Sequence, residues 1–259
     1  MTATWLSVVS VVKDDSPALA RTLRSLSQQD RTDVELVVVD SSADRDEVAA
    51  LLESYQGAVS YRWVQPQGIY PAMNTAIESA AGEFAYFANS GDEFFRPDVL
   101  TGVRQLLRDH VWGFGPVEVI EGDGRRVFTP KWDYQKEAAK GFSSGRFPSH
   151  QGTFVRTSAL RDLGGFDTSF SIAADYAMAL KLSRMADPVI LPFVVARFHE
   201  GGVSTQQWQA SFAEFHRARA EILKPRGTRW LVEQFDTRMH WASVWVSRGM
   251  RPKLRRGPS

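Results

Sequence analysis

The residues of this chain best placed for chemistry are carboxylates that follow apolar runs. Asp92 closes the turn Asn89-Ser90-Gly91-Asp92, directly beyond the run Phe84 to Ala88. Asp40 ends the run Val34 to Val39, and Asp14 and Asp15 follow Trp5 to Val12, a run that carries Ser10 near its end. Ligands of open α/β sheets bind outside the carboxyl ends of the strands. One acidic strand end is common surface chemistry, whereas three that parallel strands bring to a single sheet edge point to a site. The turn itself supports two readings. In one it only reverses the chain, with Gly91 supplying backbone freedom and Asp92 satisfying local amides; in the other Asp92 is a metal ligand.

The elements that must position these residues follow from hydrophobic periodicity. Trp5 to Val12 lacks clean alternation, which suits a strand covered on both faces. Pro17 opens a helix with Leu19, Leu23 and Leu26 on one side. Val34 to Val39 is the second strand; Val48, Leu51, Leu52 and Tyr55 stripe a second helix; Val59 to Val64 is a third, more alternating strand. Ala72, Ala76, Ile77 and Ala80 then recur at helical spacing, Gly82 ends that run, and Phe84 begins a fourth strand. This alternation predicts an α/β domain with a mainly parallel sheet.

Beyond it, a helix is expected from Pro97 to about Arg108, then strand pieces Val111 to Ile120 and Arg125 to Phe128 joined by a glycine turn at Glu121 to Gly124. Lys131 to Phe147 reads as an irregular or weakly helical linker or mobile loop. Ser149 to Arg156 reads as a strand led by His150 and Gln151. The glycine turn Asp162 to Asp167 precedes a helix through Leu180, Leu182 and Met185, and Val189 to Phe198 is a strand bent at Pro192. His199 to Ser204 is the next turn. Helices are expected over Thr205 to Leu223 and Trp230 to Val246, before the basic tail Arg248 to Ser259. The division expected is a domain over 1–204 and a helical extension over 205–259. The extension and tail suggest either contact with an anionic membrane surface or a homo-oligomer interface.

Composition narrows the function classes. At 259 residues, 43% hydrophobic and 24% charged, the chain can build a core without disulfides or structural metal. A net charge of +1 gives no global case for nucleic-acid binding, and the absence of cysteine excludes thiolate chemistry. Trp5 to Val12 is too short and serine-broken for a signal, and no apolar stretch reaches spanning length. A cytoplasmic location is therefore expected, with work at the inner face of the membrane left open. Neither a G-x-G-x-x-G pattern after the first strand nor a P-loop is present.

In GIYPAMNTAIESAAGEFAYFANSGDEFF (Gly68 to Phe95) and SHQGTFVRTSALRDLGGFDTSFSIAADYAMALKL (Ser149 to Leu182), the chain resembles the inverting glycosyltransferases of family 2. The likeness covers roughly the first 205 residues, and is nearest to the branch acting in cell-surface polysaccharide and glycolipid synthesis. It implies the GT-A nucleotide-sugar-binding fold: a mixed, mainly parallel central sheet flanked by helices, here with C-terminal helices added. Ser41 and Ser42 stand where the family has glycines after the second-strand acid. Pro66 replaces an acid two residues before GIY, and Pro71 replaces the acid of Y-D-A-M-N.

The resemblance also implies roles. Asp40 lies by the nucleotide base or ribose, with Ser10 and Asp14 on the same donor side. Asn89 and Asp92 occupy a degenerate D-x-D-like signature, in which Asp92 holds Mn²⁺ or Mg²⁺ against the donor diphosphate. Asp175, which alone reads as a helix N-cap, matches the general base. His150 and Gln151 fall on the acceptor side or order a loop, and His199 is a second candidate for a metal or diphosphate contact. The expected activity is metal-dependent, inverting transfer of a sugar from a nucleotide-diphospho-sugar to a hydroxyl of a glycan or lipid-linked acceptor. The alternatives are a sugar-phosphate nucleotidyltransferase, and an inactive nucleotide-sugar-binding or scaffold protein.

Overall fold

The computed structural model describes residues 4–199 and 208–228, with positions 231, 235, 238 and 239 beyond them. The expected turn after His199, the helix Trp230 to Val246 and the basic tail lie mostly or wholly outside the described residues. Among the described residues no helix is long and apolar enough to cross a membrane.

Strands β1 (Leu6–Val12), β2 (Val34–Asp40), β3 (Ala58–Trp63) and β4 (Phe84–Phe87) run parallel, with β1 between β2 and β4 and β3 outside β2. Helices α1 (Ser16–Ser27), α2 (Asp46–Glu53) and α3 (Ile69–Ser79) connect them. Every residue of β1 is buried. Val9 and Val11 pack with Met73, Ile77 and Phe87 on one face, while Leu6 and Val8 pack with Leu19, Leu23 and Leu26 of α1 on the other. Two covered faces explain the missing alternation. Asp15 caps α1, accepting a hydrogen bond from Ala18 N at 3.0 Å. A Cβ on Gly82 would lie 2.4 Å from Ser7 N, so only glycine lets the chain enter β4 against β1.

The second half departs from the expected order. β5 (Glu93–Phe94) and α4 (Val99–Leu107) lead to β6 (Trp112–Phe114), β7 (Val117–Ile120) and β8 (Arg126–Phe128). The piece expected to run unbroken from Val111 to Ile120 divides at Gly115-Pro116: Pro116 has no N–H for a ladder, and a Cβ on Gly115 would lie 2.7 Å from Val195 Cγ2. β6 stays in the central sheet, and β7 enters a second, smaller one. The hairpin of β7 and β8 across Glu121 to Gly124 is present and antiparallel.

Lys131 to Phe147 is not a loose linker. It contains α5 (Tyr134–Ala139), capped by Asp133, and buries Tyr134 and Phe142 beside Trp132. His150–Gly152 is a 3-10 turn rather than strand, held as Thr153 Oγ1 donates to Ser149 O at 2.7 Å. β9 (Thr153–Arg156) follows and lies antiparallel between β4 and β6. After α6 (Thr157–Asp162) and α7 (Ala174–Met185), the expected strand Val189 to Phe198 splits around Pro192 into β10 (Val189–Ile190) and β11 (Ala196–His199). His199 therefore belongs to a strand, and the rest of the expected turn lies outside the described residues. The last described long helix is α8 (Trp208–Leu223). The sheets run β10-β6-β9-β4-β1-β2-β3 and β5-β11-β7-β8.

Candidate active site

Parallel pairing of β1 with β2 and β4 brings Asp14, Asp40 and Asn89–Asp92 to one edge of the sheet. Asp40 is fully buried: Oδ1 accepts from Ser42 N at 2.7 Å, and Oδ2 accepts from Tyr61 Oη at 2.9 Å. Asp14, at φ 53°, ties the first strand end to the second, since its Oδ1 accepts from Ala43 N and its N donates to Ser42 Oγ, each at 2.8 Å. Ser42 O accepts from Trp63 Nε1 at 3.0 Å, and the Arg45 guanidinium stacks 3.7 Å over that indole. Ser42, which replaces a family glycine, thus serves as a loop tie. A cleft of about 310 Å³ opens beside them, lined by Val12, Lys13, Ser41, Pro66, Gly68 and Ile69. Pro66 borders this cleft, and Pro71 sits in the first turn of α3, where its missing N–H needs no helical partner. Ser10 is fully buried within β1 and its Oγ has no hydrogen-bond partner, so it lies beneath this edge rather than on it.

Asp92 is 7% exposed, and its Oδ2 accepts from Asn89 N at 3.0 Å. Burial pushes its carboxyl up to about 8, against the lowering effect of that one hydrogen bond. Asn89 Oδ1 is shut from solvent without a partner. Gly91, at φ 98°, supplies the left-handed backbone the turn needs. A carboxylate and an amide oxygen with unused acceptor capacity suit a hard divalent cation. Among the described residues no group of three or more acidic, histidine or cysteine side chains forms a closed cage. His199 Nε2 lies 3.7 Å from Oε1 of Glu93, the residue after Asp92, which puts the imidazole at the margin of this turn.

Asp175 lies in the first turn of α7, but the N-cap position belongs to Ala173. Its Oδ1 accepts from Tyr176 N at 2.8 Å and lies 3.4 Å from Tyr70 Oη, which donates to Ile172 O at 2.5 Å. Burial raises the Asp175 carboxyl to about 6; the Tyr176 amide and Tyr70 hydroxyl act against this, and the charge of Glu214 adds to it. His150 shares a small cavity with Asp175, Phe87, Pro148 and Phe166. Its ring packs 5.2 Å from Phe87 and 5.7 Å from Phe166, and burial lowers it to about 4, so it is neutral near pH 7. Its Nε2 has no hydrogen-bond partner. Gln151 turns back on the chain, accepting from Ser149 Oγ at 2.8 Å through its side chain and from Tyr86 Oη at 2.7 Å through its carbonyl.

Three residues that sequence reasoning gave no role hold this side together. Asn74 Oδ1 accepts from Phe166 N at 2.7 Å and its Nδ2 donates to Phe166 O at 2.8 Å, so the Asn of AMN clasps the GGFD turn. Tyr70 reaches Asp175 from the same motif, and nothing local marks either residue as a tie to a segment 92 or 105 residues further on. Glu214 of α8 accepts from Ser171, Ile172 and Ala173 N at 2.9, 2.8 and 2.9 Å, anchoring the backbone that leads into Asp175. No local pattern marks Glu214, because its three partners lie about forty residues earlier.

A parallel four-stranded unit extended by an antiparallel β9, with acidic strand ends on one edge, is the GT-A glycosyltransferase architecture. The chain belongs to glycosyl transferase family 2, whose sequence model matches residues 7–164. It is 30% identical over 224 residues to an uncharacterized glycosyltransferase of Mycobacterium tuberculosis (strain H37Rv), covering 83% of each chain. It is 24% identical over 216 residues to a PGL/p-HBAD biosynthesis glycosyltransferase of Mycobacterium bovis (strain BCG Pasteur), covering 79% of this chain and 80% of that protein. Among solved structures it resembles residues 1–349 of S. aureus TarS in complex with UDP-GlcNAc (TM-score 0.64, 20% identity, 84% of this chain and 65% of that one). It spans only 40% of a longer TarS chain. It also resembles the mannosyltransferase PcManGT from Pyrobaculum calidifontis in complex with GDP-Man and Mn²⁺ (TM-score 0.64, 19% identity, 95% of this chain and 75% of that one).

Proposed function

We propose that this glycosyltransferase moves a sugar, with inversion, from a nucleotide-diphospho-sugar to a hydroxyl of a glycan or lipid-linked acceptor, and that it uses a divalent metal. The observation that carries the reading is a carboxylate raised to about 6 at the head of α7, sharing a cavity with a neutral histidine. Asp175 is then a stronger base than an ordinary carboxylate, yet still ionised near pH 7. It accepts the proton of the acceptor hydroxyl as that oxygen bonds to the anomeric carbon, and the bond from that carbon to the diphosphate breaks on the opposite face. Asp92, with Asn89 beside it and His199 at the margin, would hold the cation. A bound Mn²⁺ or Mg²⁺ offsets the charge that gathers on the leaving diphosphate. Asp40 and the cleft beside Ser41 take the nucleoside end. The nucleotide-sugar complexes of TarS and PcManGT support a donor of this class.

Turnover of a panel of nucleotide sugars tests the reading. Asp175→Asn should fold, bind donor and lose transfer by about 10²–10⁴-fold, the range of general-base effects. Asp92→Ala should fold and lose metal-dependent donor binding. Proton NMR of the new linkage should show inverted anomeric configuration. Full transfer by both variants, or release of pyrophosphate from a nucleoside triphosphate and a sugar phosphate, would reject the assignment.

A further inference from the structure

A second cleft, of about 390 Å³, opens beyond the carboxyl ends of β6 and β10. β6 is antiparallel to β9, which is antiparallel to β4, so this cleft lies on the same sheet edge as Asn89–Asp92. Its walls include Phe114, Trp132, Phe147, Pro148, Ile190 and Pro192. Phe114 and Trp132 stack with centroids 5.8 Å apart, and Ile190 is 55% exposed at the lip. Pro148 lines both this cleft and the small cavity of Asp175 and His150. A molecule presenting a hydroxyl to Asp175 therefore has this cleft next to it for its remaining bulk.

The lining decides the chemistry of that bulk. Thr129 Oγ1 is committed to Val117, accepting from its N at 3.0 Å, and Ser149 Oγ donates to Gln151 Oε1 at 2.8 Å. The exposed ammonium of Lys131 and the indole N–H of Trp132 are the remaining polar side-chain groups of the lining. A sugar ring carries several hydroxyls, each a donor and an acceptor, and would find few side-chain partners on these walls, depending instead on backbone groups and water. A hydrocarbon or aryl segment needs none. At about 30 Å³ per water-sized group, the cleft has room for roughly a dozen carbon-sized groups.

We propose that this cleft binds the apolar aglycone of the acceptor, an alkyl, prenyl or aryl segment attached to the hydroxyl-bearing part that meets Asp175. The inference rests on the reading of Asp175 as the base, and it narrows the acceptor to a glycolipid-like or aryl-linked one.

The test compares binding of methyl and n-hexyl β-D-glucopyranoside to the full chain, below the micellar range, by titration calorimetry. Burial of five further methylenes should make the hexyl compound bind at least about tenfold more tightly. Ile190→Asp, at an exposed lip position outside the catalytic and donor groups, should bring the two probes to within about threefold while donor binding and Tm stay unchanged. Ile190→Ala should give an intermediate ratio. Equal binding of both probes by the natural chain, or a hexyl preference that survives Ile190→Asp, would overturn the inference. Binding is read without turnover, so failure of the base assignment appears separately, as transfer that persists in Asp175→Asn.

Discussion

Asp40 and Asp175 are held from different distances along the chain. Asp40 takes its hydrogen bonds from Ser42, two residues on, and from Tyr61 on the neighbouring strand. Asp175 meets Tyr70, 105 residues away, and the backbone leading into it is fastened by Glu214 of α8. The edge proposed for the donor is thus built from contacts within one run of parallel strands and their loops. The proposed base stands where α3, α7 and α8 converge, and a fault in any of them reaches it.

The largest effect expected from that contrast comes from the remote anchor. Glu214→Ala removes the acceptor of three backbone N–H groups, two of them on buried residues. It should cost about 3 kcal/mol of stability and reduce kcat by one to two orders of magnitude, roughly, while leaving donor Kd unchanged. Urea unfolding and single-turnover rates read the two separately. A matching loss of donor affinity would show that the halves are not independent.

Next in size is the acid limb of the rate profile. A base raised to about 6 works only when deprotonated, so kcat/KM should fall about tenfold per pH unit below pH 6. Glu214→Gln removes a negative charge that raises Asp175, and should move the limb to lower pH. An unmoved limb would assign Glu214 to scaffolding alone.

Asp92 gives a smaller effect of opposite sign on stability. Its folded value of about 8 exceeds that of an unfolded aspartate near 3.9, so the folded state holds a proton the unfolded state has lost. The Asp92 contribution therefore weakens the fold as pH rises between those values. Metal-free protein should show a falling Tm from pH 6 to about 8, and Asp92→Asn should flatten the slope. Cation binding needs the deprotonated form, so Mn²⁺ affinity should rise with pH over the same interval. Smallest of all, Tyr61→Phe leaves Asp40 Oδ2 without its donor and should cost about 1–2 kcal/mol by thermal denaturation, with at most a few-fold change in donor KM.

The same contrast governs what could be read from the amino-acid order. β1 to β4 and α1 to α3 were legible because each is a periodic segment ended by polar residues, and their parallel order follows from alternation. The second half was less so. Val111 to Ile120 reads as one β-rich run, and only the close approach of Val195 to Gly115 reveals why it changes sheets. Lys131 to Phe147 reads as irregular because α5 is only six residues long, and Trp132, Tyr134 and Phe142 are ordered by rings distant in sequence. The quoted motifs singled out Asp92 and Asp175, but the partners that orient Asp175 required three dimensions. The resemblance puts Ser10 on the donor side, but its alternation with Val9 and Val11 turns it toward the α1 face.

The clasp of α8 on the 171–173 backbone bears on how such a chain can be divided. The stretch matched by the family model closes at residue 164, before α7 begins. A piece trimmed to that stretch would lose Phe166, Phe170 and α7, which share one buried cluster with Val9, Val11 and Met73, so it would strip the cover from one face of the strands that carry the acidic edge.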